Sequence, residues 1–128
     1  MAQVSTASGS LKTLKSFRLG ALKIIEATKG DAVTYRITGR PVDTSTIEMT
    51  VFLGDADAAV KTLLSLAEYK PSSSREVVNL NNPGDNTARY DKFFAGWRIQ
   101  SQGGQFELHV SRGELRKMAE AINKSLNK

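Results

Sequence analysis

Apolar and polar residues alternate along two stretches of the chain and then switch, at the same relative point, to helical spacing. In the first stretch Ile47, Met49 and Val51 alternate with Glu48, Thr50 and Phe52. Beyond Gly54 the apolar positions become Ala56, Ala59, Val60, Leu63 and Ala67. In the second stretch Phe106, Leu108 and Val110 alternate with polar neighbours, and Leu115, Met118, Ala119, Ile122 and Leu126 follow. Alternation marks a strand with one buried face, and spacing by three and four marks a helix with one apolar stripe. A displacement of 59 positions lays one stretch on the other and sets Gly54 on Gly113 and Asp55 on Glu114. The chain reads as one sheet-then-helix unit present twice.

The remaining segments fit that frame. Phe17 to Ala27 predicts a first strand bent at Gly20, and Lys29-Gly30-Asp31 a turn. Val33, Tyr35 and Ile37 alternate as a second strand, and Gly39 to Ser45, with Pro41, makes a loop. Asp55 is a helix N-cap with Asp57 in the first turn, where an anion suits the helix dipole. Pro71 and the serines after it end that helix near Tyr69 and join the halves. Val77, Val78 and Leu80 open the second half, and residues 81–86 carry strong turn chemistry. A strand from Arg89 to Ile99, interrupted near Gly96, leads to a hairpin turn at Gly103-Gly104. Ser111 and Glu114 form a capping box ahead of the last helix.

The predicted fold class is α+β: an antiparallel sheet followed by one helix, duplicated, with room for one further strand in each half. Residues 1–10 are small and polar and are expected to form a disordered arm. Residues 11–128 are expected to form a single domain of two repeats, about 17–70 and 75–127.

Composition narrows the chemistry. The 128 residues include no cysteine, which excludes disulfides, thiol catalysis and thiolate metal sites. The N-terminus lacks a secretory pattern, and no run approaches the ~20 apolar residues of a membrane span. The expected setting is soluble and intracellular, cytoplasmic or host-cytoplasmic, with no membrane partner. A net charge of +5 and a pI near 9.6 favour polyanion partners, because each neutralised phosphate releases counterions.

Catalysis has little to stand on. His109 is the only histidine and alternates out of phase with Leu108 and Val110, which points it away from the core. Gly54-Asp55-Ala56-Asp57 reads as a helix start rather than an acidic metal pair. Neither a phosphate-binding Gly-rich loop ending in Lys-Ser or Lys-Thr nor a Gly-x-Ser-x-Gly elbow occurs. No catalytic residue, metal or cofactor is expected.

Basic residues interleaved with aromatics are the stronger signal. Residues 88–100 hold Arg89, Tyr90, Lys92, Phe93, Phe94, Trp97 and Arg98, and residues 34–40 hold Tyr35, Arg36 and Arg40. A displacement of 62 lays Tyr35-Arg36-Ile37 on Trp97-Arg98-Ile99. Arginine and isoleucine then face opposite ways, and Tyr35 and Trp97 join the isoleucines in the core. Single strands are bound by this combination: cations follow the phosphates, and rings stack on bases for ~1–3 kcal/mol each. The expected phosphate contacts are Arg18, Lys23, Arg36, Arg40, Arg89, Lys92 and Arg98. Tyr90 and either Phe93 or Phe94 are expected to stack, with Phe52 as a further candidate. The first helix carries more apolar surface, at Leu63, Leu64 and Leu66, than one face needs. Contact between helices of the two halves, or assembly into a homo-oligomer, would cover it.

Carried chiefly by the hairpin, strand, cap and helix of residues 97–126, the pattern resembles the Whirly and positive-cofactor-four group of single-stranded nucleic-acid-binding proteins. The resemblance implies a duplicated sheet-plus-helix unit, binding of unpaired strands on a sheet surface, and assembly through helices. The function expected is non-enzymatic binding of single-stranded DNA or RNA in replication, recombination or transcription, in a cellular or a phage accessory protein. The alternatives are a self-assembling structural protein, such as a small viral coat or scaffold subunit, and a protein-interaction module.

Overall fold

Two strands, not one bent strand, fill the segment ahead of the first turn. The computed structural model describes residues 9–41, 47–73 and 75–127. In it β1 (Ser10–Phe17) and β2 (Leu22–Lys29) pair antiparallel through a 3-10 turn at Arg18–Gly20. Arg18, Leu19 and Gly20 all take positive φ, at 52°, 57° and 91°, and so reverse the chain where a bend at Gly20 alone was expected. Strand β1 escaped the pattern because it is an exposed edge strand with little alternation to display. The expected arm lies outside the described residues as far as residue 8, and Ser10 already belongs to β1.

Strand β3 (Ala32–Gly39) follows through a two-residue turn, and β4 (Met49–Gly54) completes a sheet in the order β1-β2-β3-β4. The expected loop after Gly39 falls partly outside the described residues, at 42–46. Helix α1 (Ala56–Glu68) starts at Asp55, whose carboxylate accepts from the Ala58 N–H at 2.9 Å. The second half repeats the plan. Strands β5 (Val77–Asn79), β6 (Thr87–Asp91), β7 (Gly96–Gln100) and β8 (Glu107–Ser111) form a second antiparallel sheet in chain order. Helix α2 (Arg112–Leu126) is held at its start by the Ser111–Glu114 capping box. The fold is α+β, two four-stranded antiparallel sheets each followed by a helix, with the further strand present in each half.

The caps correct the repeat register. Asp55 and Ser111 lie 56 positions apart, so a displacement of 59 sets the helices three residues, nearly one turn, out of step. A shift of that size keeps the apolar face in place, which is why periodicity tolerated it. The displacement of 62 holds: β3 and β7 are both third strands, Tyr35 and Trp97 are buried, and Arg36 and Arg98 point outward.

One core serves both halves. Ile24, Ile37, Val51 and Leu53 face it from the first sheet, and Ile99, Leu108 and Val110 from the second. The sheets approach so closely that a Cβ on Gly39 would stand 2.6 Å from Leu108 Cδ1. Helices α1 and α2 pack on each other, and the Trp97 indole N–H donates to the Leu66 carbonyl at 2.8 Å. The apolar surplus of α1 is therefore met inside the chain, by the other half. No helix among the described residues is long and apolar enough to cross a membrane.

Candidate nucleic-acid interface

Strand alternation places the outward residues of the first sheet. With Tyr35, Ile37 and Gly39 inward, Arg36 and Thr38 point outward, and Arg40 continues the row, its N–H bonded to the Ala21 carbonyl at 3.0 Å. Lys23 lies opposite Thr38 on β2, and Phe52 lies opposite Arg36 on β4. Lys23 thus sits diagonally between Arg36 and Arg40, where side chains stand about 7–8 Å apart. The Arg36 guanidinium lies 5.0 Å from the Phe52 ring centroid, and the ring is 44% exposed. Among the described residues, none of Lys23, Arg36 and Arg40 forms an ion pair. The only acid of β2 and β3, Glu26, accepts from the Tyr35 hydroxyl on the inner side, at 3.2 Å. Arg36 Nε and Thr38 Oγ1 are buried without a hydrogen-bond partner among the described residues.

Beside Phe52 the face opens into a cleft of about 380 Å3 lined also by Thr50, Gln102, Gln105 and Phe106. It lies where the first sheet meets the loops of the second half. Asn82 fixes that meeting: its Nδ2 donates to the Phe52 carbonyl at 2.7 Å and to Asn86 Oδ1 at 2.8 Å. Asn82 and Asn86 are both buried, so an amide network ties the β5–β6 loop to β4.

The outward face of the second sheet occupies the equivalent place but carries different chemistry. Arg98 donates to Asp91 at 2.8 Å and to Glu107 at 3.2 Å, and Arg89 pairs with Glu107 at 3.0 Å. Two arginines and two carboxylates close into a neutral ladder. Burial alone would raise the carboxyl of Asp91, but the Phe93 N–H and Arg98 outweigh it and hold the group below its ordinary range. Glu107 is likewise raised by burial and then lowered further by Gln100, Arg98 and Arg89. His109 lies opposite Arg98. Its ring stacks on Phe94 at 4.8 Å, and its Nε2 is buried without a partner among the described residues. Burial, reinforced by the charge of Arg98, lowers its pKa.

The segment from Arg89 to Ile99 is two strands joined by a tight turn at residues 92–95, not one interrupted strand. Phe93 and Phe94 therefore occupy a turn. Ala95 takes a positive φ of 52°, and a Cβ on Gly96 would meet Phe94 and the Val110 carbonyl at 2.5 Å. Only glycine lets β8 approach here while Phe94 lies across His109. Phe93 is 91% exposed, with the Lys92 ammonium 6.0 Å from its ring. Tyr90 does not face outward. It pairs with Trp97 on the inner side, edge-on at 5.4 Å, and Arg112 covers it at 5.2 Å.

Five expected residues, Arg89, Tyr90, Lys92, Phe93 and Arg98, nonetheless line one cleft of about 470 Å3, together with Asp91 and Arg75. Arg75 escaped the sequence reading because it stands in the serine-rich joint, outside any strand pattern. Asp91 and Glu107 escaped it too, although alternation alone places Asp91 on the face of Arg89. Arg18 belongs to neither cluster. Its guanidinium binds the carboxylate of Glu114 at 2.5 and 3.0 Å, beside the capping box of α2. Comparison with protein-family models, curated proteins and solved structures finds no match.

Proposed function

We propose that the protein is a non-enzymatic single-stranded DNA- or RNA-binding protein, acting in replication, recombination or transcription, and that the outward face of the first sheet is its principal contact surface. The observation that carries this reading is the row Arg36, Lys23 and Arg40, which forms no ion pair among the described residues and is set beside the half-exposed Phe52. Cations at that diagonal spacing follow an extended phosphate backbone, and the open side of the Phe52 ring receives a base. The amides of Gln102 and Gln105 in the adjoining cleft offer donors and acceptors to a base edge. The cleft at Phe93 and Lys92 extends the surface, although two of its arginines are already engaged by carboxylates. The duplicated sheet-plus-helix plan supports the resemblance drawn from the sequence.

Fluorescence anisotropy with labelled oligo-dT and oligo-U, read beside a duplex of equal length, tests the proposal. Single strands should bind more tightly than duplex, and binding should weaken steeply with salt. Absence of binding, or equal affinity for duplex, overturns it.

A further inference from the structure

Edge strand β1 contains an irregularity that its pairing does not require. Lys12 lies opposite Glu26 and Lys15 opposite Ile24, with the register shifting between Thr13 and Lys15. Glu26 and Ile24 are two apart on β2 and share a face, so Lys12 and Lys15 share one as well. In an unbroken strand, residues three apart point to opposite faces. The bulge adds one residue and turns both lysines to the side of α2. From α2, Lys117 and Lys124 stand two turns apart on one side. These four lysines and Glu120 line an open cleft of about 450 Å3 between the strand and the helix. Among the described residues, none of the five forms an ion pair.

Lysines on an edge strand also deter unwanted strand pairing. That role needs cations on the edge, but it does not need two of them aimed at two more on a helix. Glu120 in the cleft and Glu26 opposite Lys12 offer two carboxylates to four ammonium groups, and the remaining positive charge repels itself unless a counter-charge joins it.

We propose that this cleft binds a run of consecutive phosphate groups, as in a triphosphate or a short polyphosphate. Lysine is a compact point charge with three donors, suited to a dense, non-planar anion rather than to the forked recognition that arginine gives. The cleft lies on the helix side of the sheet, away from Arg36 and Phe52, so the inference does not depend on the strand-binding reading. The same chemistry arrives either as a free oligophosphate or as the 5′-triphosphate end of a strand.

Isothermal titration of the full chain with sodium tripolyphosphate tests the site. Three proteins are compared: the wild type, Lys117→Gln/Lys124→Gln, and Lys29→Gln/Lys61→Gln, which removes the same charge elsewhere. Saturable one-to-one binding is expected in the wild type and the control, with a loss of about tenfold or more in the cleft variant, as charge-assisted hydrogen bonds disappear. If the double variant melts early, Lys15→Gln on the opposite wall supplies the same readout. A second arm compares labelled oligonucleotides ending in a 5′-triphosphate or a 5′-hydroxyl. A preference for the triphosphate that vanishes in the cleft variant assigns the site to strand ends, and equal binding assigns it to free oligophosphate. No saturable tripolyphosphate binding, or an equal loss in both double variants, overturns the proposal.

Discussion

The Arg36 guanidinium lies 5.0 Å from the centroid of the Phe52 ring, its cross-strand neighbour on the outward face of the first sheet. The contact holds the ring in place from one side and leaves the other open. Replacing Phe52 by alanine is expected to weaken oligonucleotide binding by ~1–3 kcal/mol, the range for one base stacked on an aromatic. Because the ring is 44% exposed, folding stability should change by only about 1 kcal/mol or less. Anisotropy beside a denaturant melt checks both. Unchanged affinity removes Phe52 from the interface.

Arg36 and Arg98 occupy equivalent strands yet should respond oppositely to the same change. Arg36→Gln is expected to leave stability nearly intact and to lower the salt dependence of strand binding by about 0.7 in the log–log slope. Arg98→Gln leaves Asp91 without its guanidinium and Glu107 with only Arg89 and the Gln100 amide. The expected cost is about 1–3 kcal/mol of stability, with a smaller effect on the salt slope. Denaturant unfolding and a salt series on both variants measure the contrast. The reverse ranking would move the interface to the second sheet.

Acid should weaken the second sheet in two stages. The pKa of His109 is lowered by burial and by Arg98, so the unfolded chain takes up its proton first as pH falls. The stability held by the neutral ring is full above the ordinary histidine value near ~6.5 and is lost as pH falls toward the lower folded value. Asp91 and Glu107 are also lowered, the Phe93 N–H, Gln100 and the arginines overcoming the effect of burial. Their contribution is full above the ordinary carboxylate range near ~4 and disappears below it. Melting temperature followed from pH 7 down to about 3 should fall in both intervals. In His109→Gln the upper step should be missing and the lower one retained.

Asn82 ties the β5–β6 loop to the strand that carries Phe52. Asn82→Ala removes the donor to the Phe52 carbonyl and both bonds to Asn86. A buried network left partly unsatisfied is expected to cost about 1–3 kcal/mol. Hydrogen exchange should quicken at β4 and in the loop, and strand affinity should drop although Asn82 is itself buried. Exchange unchanged at β4 would show that the strand holds its place without this tie.

Much of the fold was legible because burial imposes a period. Strands β3, β4 and β8 and both helices each bury one face, and their apolar residues recur accordingly. Strand β1 was not legible as a strand of its own, since an exposed edge makes no such demand. The turn at Phe93 and Phe94 was hidden for a different reason. Two large apolar residues read as strand, and only the close approach of β8 at Gly96 shows why the chain reverses there. At the candidate site, outward orientation followed from alternation, so Arg36 and Arg98 were placed on the correct face. Which of them were already paired depended on register across strands, and one sequence does not display register. Tyr90 shows the same limit: its inward position follows from the pairing with Trp97, not from its neighbours in the chain.

The indole of Trp97 ends on a carbonyl of Leu66, in the opposite half. Neither half is a spare part, since each completes the other's interior. Duplication in this chain therefore did not yield two interchangeable modules. It yielded a shared skeleton with two exteriors at liberty to diverge, and they have diverged: one has settled into mutual neutralisation, while among the described residues its twin leaves Lys23, Arg36 and Arg40 outside any ion pair.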